Sequence, residues 1–520
     1  MTLDEIQKYQ ERFSLDEIVQ AVKAAPPKED TIPDPYGDLQ GLFRRLKPDN
    51  KEQYQRNDIG IAKLFSDCFR DTLRFNTTAK EWFYYDGKIW KPDQSGMYAA
   101  TYAKAFSEAL VIYGFQLLDG AEKKDFLKFV GRYGDFSKRR TLIDDARSES
   151  FLSNEELDQD GNLYNLQNGV LNLETLEFMP HKPEYLLSKI SNVVYDPDAQ
   201  SELFEKTMRE TLEGDSEKIY YLLKWFGLSL TDDTSMEEML ILLGITTRNG
   251  KSTLLETLAY MHGGSEGYAL NMPPETLAQR KNKDSRTASG DIARLDGCRM
   301  LITSEPPKRM LFDAALLKTL LGRDTITARQ LYEREFQFVP KFKLFMNSNY
   351  LPTIQDDTLF TSGRIKVIEF NRHFTPEEQD TTLKSRLRSK TNISGIFNYC
   401  LTGLKMYREE GLSPPKTVIQ AVESYRMASD KIQNFLSECM ERTGRNTGAG
   451  TTYQAYKTWC LDNGYGVDSK GSFFAELKSK NIFAPLGTVN GKSVKNVIIG
   501  YELLPEDEPP PPEPPRKYRY

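Results

Sequence analysis

Cysteine, histidine and long apolar runs are scarce in this chain of 520 residues, and each shortage argues against a class of protein. The five cysteines are scattered and form no C-x-x-C pair, so neither a disulfide framework nor a zinc cluster is expected. The three histidines are far apart and form no H-E-x-x-H motif, which argues against a histidine-based metalloprotease or nuclease. No apolar run approaches the ~18 residues of a membrane span, and the N-terminus has no signal-peptide core. We therefore predict a cytoplasmic protein without membrane contacts.

An excess of positive charge is also missing, since the net charge is −6 at pH 7. An acidic chain does not attract nucleic acid over its whole surface, so any DNA contact must be local. Residues 421–500 are locally basic, with ten Lys/Arg against seven Asp/Glu. Their pattern, helices followed by a strand-like segment after a glycine turn, predicts a winged-helix-like DNA-binding domain over residues 421–504. A helical assembly domain is the alternative.

The stretch GITTRNGKST, Gly244 to Thr253, lies between the apolar run MLILL and a helical pattern. A strand, a glycine turn and a helix N-terminus together form a phosphate-binding loop, in which backbone N–H groups face the phosphates. Here five residues rather than the usual four separate Gly244 from the Gly-Lys pair. A polar loop with a chance G-K-S is the alternative. The predicted cofactors are ATP and Mg²⁺, and the predicted nucleotide-binding residues are Gly244, Thr247, Arg248, Asn249, Gly250, Lys251, Ser252 and Thr253.

Three later strands bring further candidate groups. Glu305 follows the strand-like CRMLITSEPP, at the end where parallel α/β sheets bind ligands, and would hold Mg²⁺ with Ser252. Asn347 and Asn349 end KFKLFMNSNYLP, where an amide could sense the γ-phosphate or cap a turn. Arg364 precedes the strand IKVIEF and would be an arginine finger or part of a plain salt bridge. A surface role is the alternative for Glu305.

The pattern from Gly290 to Glu335, GDIARLDGCRMLITSEPPKRMLFDAALLKTLLGRDTITARQLYERE, resembles the superfamily 3 helicases, and more closely their poxvirus-type and phage/plasmid primase–helicase family. DIGIAKLF, EWFYYDGKIWKPD and LQNGVLNLETLEFMPH resemble the region that precedes the helicase in this family. AVESYRMASDKIQNFL and TYQAYKTWC resemble its C-terminal DNA-binding segment. The resemblance covers about residues 55 to 500. It departs from the family in the extra residue of the loop after Gly244 and where a single arginine, Arg364, replaces an Arg-Arg pair. Many members of the wider ATPase class carry two adjacent acids, and here Ser304 takes the place of the first.

The resemblance implies a ring, expected to be a hexamer, with ATP sites between subunits. Its catalytic residues would be Lys251, Glu305, Asn349, which the family's sensor strand favours over Asn347, and Arg364 acting on a neighbour. A hairpin in ITARQLYEREFQFVPKF would follow single-stranded DNA, with stacking and phosphate contacts near its tip. An alternative for this segment is a buried tyrosine and arginines paired with neighbouring glutamates. The candidate DNA-binding residues are Arg329, Tyr332, Arg334 and Lys318.

The fold expected from the pattern and the resemblance is α/β. It has an AAA+-like P-loop core with a parallel sheet, a mostly α domain with small β elements before it and a winged-helix-like domain after it. The predicted boundaries are 1–55 for an arm, 56–198 for the preceding domain, 199–388 for the helicase domain, 389–420 for a helical connector, 421–504 for the DNA-binding domain and 505–520 for a disordered proline-rich tail.

Because about 55 residues are too few for a primase domain, we expect helicase activity without primase activity. The expected partners are single-stranded and forked duplex DNA, a homo-oligomer and a separate primase or replication initiator. The expected setting is a phage or mobile element in a bacterial host. A DNA-packaging or remodelling ATPase, or an initiator that uses ATP only to assemble, remains the alternative.

Overall fold

The computed structural model describes residues 53–279, 290–307, 310–329, 335–463 and 465–504. The predicted arm (1–55) and tail (505–520) lie almost entirely outside these ranges. Among the described helices, none has both the length and the apolar character needed to cross a membrane.

The first unit is mainly helical and packs a small sheet against its helices. Its strands follow the order β3-β2-β1-β4, and only the β1–β4 pair is parallel. Its core is rich in aromatic side chains, including Phe65, Trp82 and Phe106. The elements are α1 (Asp58–Phe69), β1 (Leu73–Asn76), β2 (Glu81–Tyr85), β3 (Trp90–Pro92), α2 (Met97–Leu117), α3 (Gly120–Val130), α4 (Phe136–Ala146) and β4 (Phe151–Leu152).

A second, antiparallel sheet joins this unit to the centre of the molecule. It contains β5 (Leu163–Leu166), β6 (Gly169–Asn172) and β7 (Phe178–Met179). Tyr164 on β5 stacks on Tyr268 with ring centroids 4.7 Å apart and hydrogen-bonds to His262 at 2.9 Å. Side chains of this sheet lie in the hydrophobic core of the unit that follows. The sequence pattern instead predicted that the sheet belongs to the preceding domain, which was expected to end at residue 198.

The central unit is built on a parallel five-stranded sheet in the order β14-β8-β13-β10-β9. Every residue of β8 and β13 is buried, as expected for a parallel sheet covered on both faces. The elements are α5 (Glu202–Thr211), α6 (Ser216–Leu228), β8 (Met239–Leu243), α7 (Lys251–Met261), β9 (Ala269–Met272), α8 (Gly290–Ala293), β10 (Met300–Ser304), α9 (Ala314–Leu321), β11 (Ile326–Ala328), β12 (Phe336–Phe338), β13 (Lys343–Ser348), α10 (Thr358–Thr361), β14 (Ile365–Glu369) and α11 (Leu383–Leu387).

The predicted connector (389–420) is part of this unit. It contains α12 (Lys390–Glu410) and the start of α13 (Lys416–Ser429). Phe397 and Leu404 of α12 lie in one core with α6, and Tyr425 of α13 lies in the core on the other face of the sheet. Gly227 and Gly403 allow α6 and α12 to approach closely, because a Cβ on Gly227 would lie 2.0 Å from the Leu404 nitrogen.

The C-terminal unit has three helices followed by a hairpin. Its elements are α14 (Lys431–Cys439), β15 (Met440–Arg442), β16 (Thr447–Gly448), α15 (Ala449–Asp462), α16 (Lys470–Ser479), β17 (Phe483–Val489), β18 (Lys492–Ile498) and β19 (Tyr501–Leu503). Asn490 and Gly491 both have positive φ between β17 and β18, as a two-residue hairpin turn requires. Phe435, Tyr456 and Phe473 pack its own core.

Candidate nucleotide-binding site

The stretch from Gly244 to Gly250 connects the buried strand β8 to the first residue of α7, Lys251. Gly250 has φ 86°, a left-handed conformation that favours glycine. A Cβ at this position would also lie 2.2 Å from Thr211 Cγ2. The chain thus makes a glycine turn directly before a helix N-terminus, which is the geometry that presents backbone N–H groups to an anion.

The extra residue is accommodated at the start of this loop. Ile245 is 79% exposed, while Asn249 is buried. The Asn249 side chain donates to the Thr246 carbonyl at 2.5 Å and closes the turn. Since Asn249 also accepts a hydrogen bond from Lys251, the wider turn keeps the Asn-Gly-Lys-Ser part in contact with the helix start.

Lys251 is buried, with 2% of its surface exposed. Its ammonium donates to Asn249 Oδ1 (2.9 Å), Asn349 Oδ1 (3.1 Å) and the Gly244 carbonyl (3.4 Å). Burial lowers the pKa of Lys251 to about 8, and the nearby Glu305 carboxylate acts in the opposite direction. The three hydrogen-bond acceptors of Lys251 are all neutral oxygens. They leave the charge of the ammonium available to an anion.

The two asparagines at the end of β13 contact different groups. Asn349 accepts from Lys251, whereas Asn347 donates from Nδ2 to Ser252 Oγ at 2.9 Å. The Asn347 carbonyl also accepts from the Glu305 backbone N–H at 2.9 Å. The candidates of three separate segments (Lys251 and Ser252, Glu305, and the asparagines) thus meet at the carboxyl ends of β8, β13 and β10, where parallel α/β sheets bind ligands.

Glu305 is exposed and has φ 52°. A left-handed backbone is uncommon for a residue with a side chain and marks a local constraint. The conformation directs the chain out of the sheet immediately after β10, in a position where the carboxylate remains accessible to solvent. A solvent-accessible carboxylate at this edge is able to hold a metal ion or a water molecule.

A segment after β14 covers the loop, and the sequence pattern did not predict it. His373 donates from Nδ1 to the Thr247 carbonyl at 2.8 Å, and the Phe374 N–H donates to the Arg248 carbonyl at 2.9 Å. Phe374 also lies 3.8 Å from the position of a Cβ on Gly250. These bonds involve main-chain atoms of the loop, so no residue-type signal marks them. Thr253, the remaining candidate, lies partly buried in the first turn of α7.

Arg364 does not belong to this cluster. It directly precedes β14, at the edge of the sheet where β8 begins, because Met239 N–H donates to the Arg364 carbonyl at 2.9 Å. Five residues of β8, roughly 16 Å of strand, separate this edge from the loop. The Arg364 guanidinium pairs with Glu237 and donates to the Lys318 carbonyl at 3.2 Å. Arg364 is therefore remote from the loop of its own subunit.

The candidate DNA-binding residues are partly described. The two strands of the predicted hairpin are described: β11 and β12 pair antiparallel, from Ile326↔Phe338 to Ala328↔Phe336. Arg329 follows β11 and is partly buried, whereas Tyr332 and Arg334 lie outside the described residues. The Lys318 ammonium pairs with Asp356 at 2.7 Å.

Comparison with known families matches two parts of the chain. Residues 62–213 match the family described as D5 N terminal like, and residues 242–364 match a family described as of unknown function, DUF5906. The second match begins within β8, includes the loop and both asparagines, and ends at Arg364. The resemblance to the primase–helicase family is confirmed.

The chain is also similar to curated viral proteins. Over 478 residues it is 28% identical to a protein named "Putative helicase" of Acanthamoeba polyphaga mimivirus, covering 83% of this chain and 48% of the relative. Another protein named as a putative helicase, from Frog virus 3, is 27% identical, covering 44% of this chain and 25% of the relative. The chain thus spans about half the length, or less, of these curated relatives.

Among solved structures, two forms of the C-terminal region of NrS-1 are similar to this chain. Both have a TM-score of 0.45 and 12% sequence identity. One alignment covers 82% of this chain and 96% of that chain, and the other covers 86% and 100%.

Proposed function

We propose that this protein is an ATP-dependent DNA helicase that moves along single-stranded DNA. The observation that carries the proposal is the meeting of Lys251, Ser252 and Glu305 at one edge of a parallel sheet. Lys251 is buried and contacts neutral oxygens, so a polyphosphate would supply the countercharge that burial otherwise makes costly. The names of the viral relatives support a helicase rather than another ATPase.

The residues of the site fit ATP and Mg²⁺. The N-terminus of α7 would receive phosphate oxygens on its free N–H groups, and the absence of a Cβ at Gly250 leaves room for close approach. Lys251 would bind the β- and γ-phosphates, while Ser252 and Glu305 would hold the metal through oxygen ligands, which Mg²⁺ prefers. The metal would neutralise charge on the transferred phosphoryl group. Gly244, Thr247, Arg248, Asn249 and Thr253 complete the loop.

Glu305 would orient the attacking water, and Asn349 would respond to the γ-phosphate because its side-chain oxygen already accepts a hydrogen bond from Lys251. Arg364 would act on the site of a neighbouring subunit, since it is remote from its own. A finger supplied by a neighbour fits an assembly with head-to-tail contacts, which forms a ring when the rotation between subunits closes. We propose a hexamer, and a superfamily 3, AAA+-like arrangement of the P-loop core.

DNA would contact two parts of the chain. The β11–β12 hairpin, with Arg329, Tyr332, Arg334 and nearby Lys318, would follow the single strand. The C-terminal unit would hold duplex DNA as a winged-helix-like domain, because its hairpin follows three helices and carries the exposed Lys492 and Lys495 on β18. Lysines of this kind bind phosphates and give strongly salt-dependent affinity.

We further propose that the protein acts in genome replication of a virus or mobile element, in the cytoplasm of a bacterial host. A separate primase or replication initiator would be its partner. The viral origin of the curated relatives supports the replication role.

Strand separation of a labelled forked duplex tests the proposal. The wild-type protein should separate the strands with ATP and Mg²⁺, and substrates with only a 3′ or only a 5′ tail should report the direction of movement. Lys251→Ala is the matched control and should lose both hydrolysis and unwinding, because no other described ammonium lies within hydrogen-bond distance of the loop. ATP hydrolysis without strand separation on any substrate would instead support a remodelling, packaging or initiator ATPase.

A further inference from the structure

Asn347 has a position that its neighbour Asn349 does not share. It lies on β13, the strand between β8 and β10. In the sheet register it is opposite Leu242 on one side and Ser304 on the other. One of these strands leads to the loop with Ser252, and the other leads directly to Glu305. Asn347 is thus the residue of the middle strand that lies between the two groups assigned to the metal.

Both of these groups are bonded to Asn347. Its side-chain amide donates to Ser252 Oγ at 2.9 Å, and its main-chain carbonyl accepts from the Glu305 N–H at 2.9 Å. Asn347 is 7% exposed, so it is fixed by the sheet and by packing. Ser252 itself is exposed, and without the amide its hydroxyl would be free to rotate.

The hydroxyl group of a serine has one proton and two lone pairs. The Asn347 amide occupies one lone pair and so determines where the other one points. A metal ligand held in this way by an outer hydrogen bond binds its metal more tightly, because the ligand loses less freedom on binding. The side-chain oxygen of Asn349 instead accepts from Lys251.

We propose that Asn347 is the positioning residue of the magnesium site, which sets the orientation of Ser252 and the distance between Ser252 and Glu305. The inference rests on the proposed ATP–Mg²⁺ site. It divides the two asparagines by role, with Asn349 acting on the phosphate through Lys251 and Asn347 acting on the metal through Ser252.

The test measures binding rather than turnover. The affinity of the full-length protein for a fluorescent, non-hydrolysable ATP analogue is determined in EDTA and again with Mn²⁺ as a substitute for Mg²⁺. The ratio of the two affinities is the contribution of the metal. Asn347→Leu, which keeps the branching of the side chain at Cγ and removes the amide, should lower this ratio about 10-fold or more. Its affinity in EDTA should change by less than about 3-fold, because Lys251 and the helix N-terminus are intact.

Asn349→Ala is the matched control, and it should change the affinity in both conditions by the same factor. A double-mutant cycle then shows whether Asn347 acts through Ser252. In a Ser252→Ala background, Asn347→Leu should not lower the ratio further. An equal loss in both backgrounds would show a general structural effect and would overturn the inference. Asn347→Ala replaces the leucine variant if thermal unfolding shows that the latter does not fold.

The two proposals fail in different ways. A wild-type protein that binds no ATP analogue in either condition contradicts the proposed function itself. A wild-type protein whose binding is strengthened by Mn²⁺, together with an Asn347→Leu variant strengthened to the same degree, contradicts only the role of Asn347.

Discussion

At the scale of single residues, two asparagines of one strand contact different groups: Asn349 accepts from Lys251, and Asn347 donates to Ser252. Lys251, Ser252 and Glu305 follow from strand ends and a glycine turn, which are local features. Asn347 and Asn349 lie two residues apart, and both were candidates for contact with the γ-phosphate. Which of them contacts Lys251 depends on how β13 aligns with β8, and this register involves residues about 100 positions apart.

The lowered pKa of Lys251 predicts proton uptake when ATP binds. At pH 8.5 a lysine with a pKa of about 8 is mostly neutral in the free protein. Phosphates favour the charged form and raise the pKa again, so binding should take up roughly half a proton or more. Below about pH 7 the lysine is already charged and this uptake should disappear. Calorimetry of ATP binding in buffers with different ionisation enthalpies measures the number of protons.

Lys251→Arg is the control for this measurement, because a guanidinium remains charged at these pH values. It should bind ATP without the uptake at pH 8.5. Equal uptake by the arginine variant would assign the proton to another group.

At the scale of elements, the loop tolerates its extra residue because Asn249 bridges the turn. Ile245→Ser should change ATP affinity by less than about 2-fold, since Ile245 is 79% exposed. Asn249→Ala should weaken ATP binding about 10-fold, because it removes both the bond that closes the turn and an acceptor of Lys251. Titration with a fluorescent ATP analogue compares the two variants. Equal effects would show that Asn249 does not maintain the loop.

The sequence pattern assigned the sheet β5–β7 to the domain of residues 56–198, whereas its side chains pack in the core of the central unit. The hairpin signals at residues 163–179 were local and correct in kind, but nothing in them shows which core receives the sheet. The structure places Tyr164 against Tyr268 and Phe397 and bonds it to His262, which in turn contacts Ser229 at 3.0 Å. Arg299 also donates to the Leu163 carbonyl at 3.0 Å.

These contacts predict where the central unit can be separated from the first one. A fragment of residues 160–504 should unfold cooperatively and bind ATP. A fragment of residues 200–504 should aggregate or unfold at a much lower temperature, because the buried partners of Tyr164 and Leu163 become exposed or unpaired. Thermal unfolding followed by circular dichroism compares them. Equal melting temperatures would mean that the sheet β5–β7 belongs energetically to the first unit.

At the scale of the whole molecule, the question is whether Arg364 acts within its own chain or on a neighbouring subunit. It lies at the opposite edge of the sheet from Lys251 and is oriented by Glu237. If it acts on a neighbouring subunit, a mixture of two inactive variants should regain activity. In an equal mixture of Lys251→Ala and Arg364→Ala, about a quarter of the interfaces combine an intact lysine with an intact arginine when subunits mix at random.

Steady-state ATPase measurements of each variant and of the mixture test this prediction. The double variant Lys251→Ala/Arg364→Ala mixed with inactive Lys251→Ala is the control and should remain inactive, since no interface contains an intact lysine. No recovery in a mixture shown to exchange subunits would mean that Arg364 serves only the fold, through its ion pair with Glu237.

The sequence by itself determined the glycine turn before α7, the carboxylate after β10 and the strands β11 and β12, because each of these depends on residues that are close together in the chain. Its long patterns also indicated the primase–helicase family. Only the tertiary structure decided which asparagine contacts Lys251 and which contacts Ser252, which core contains β5–β7, and that Arg364 is remote from its own loop. These features depend on strand order, register and packing between segments 95 to 233 residues apart, which no local pattern specifies.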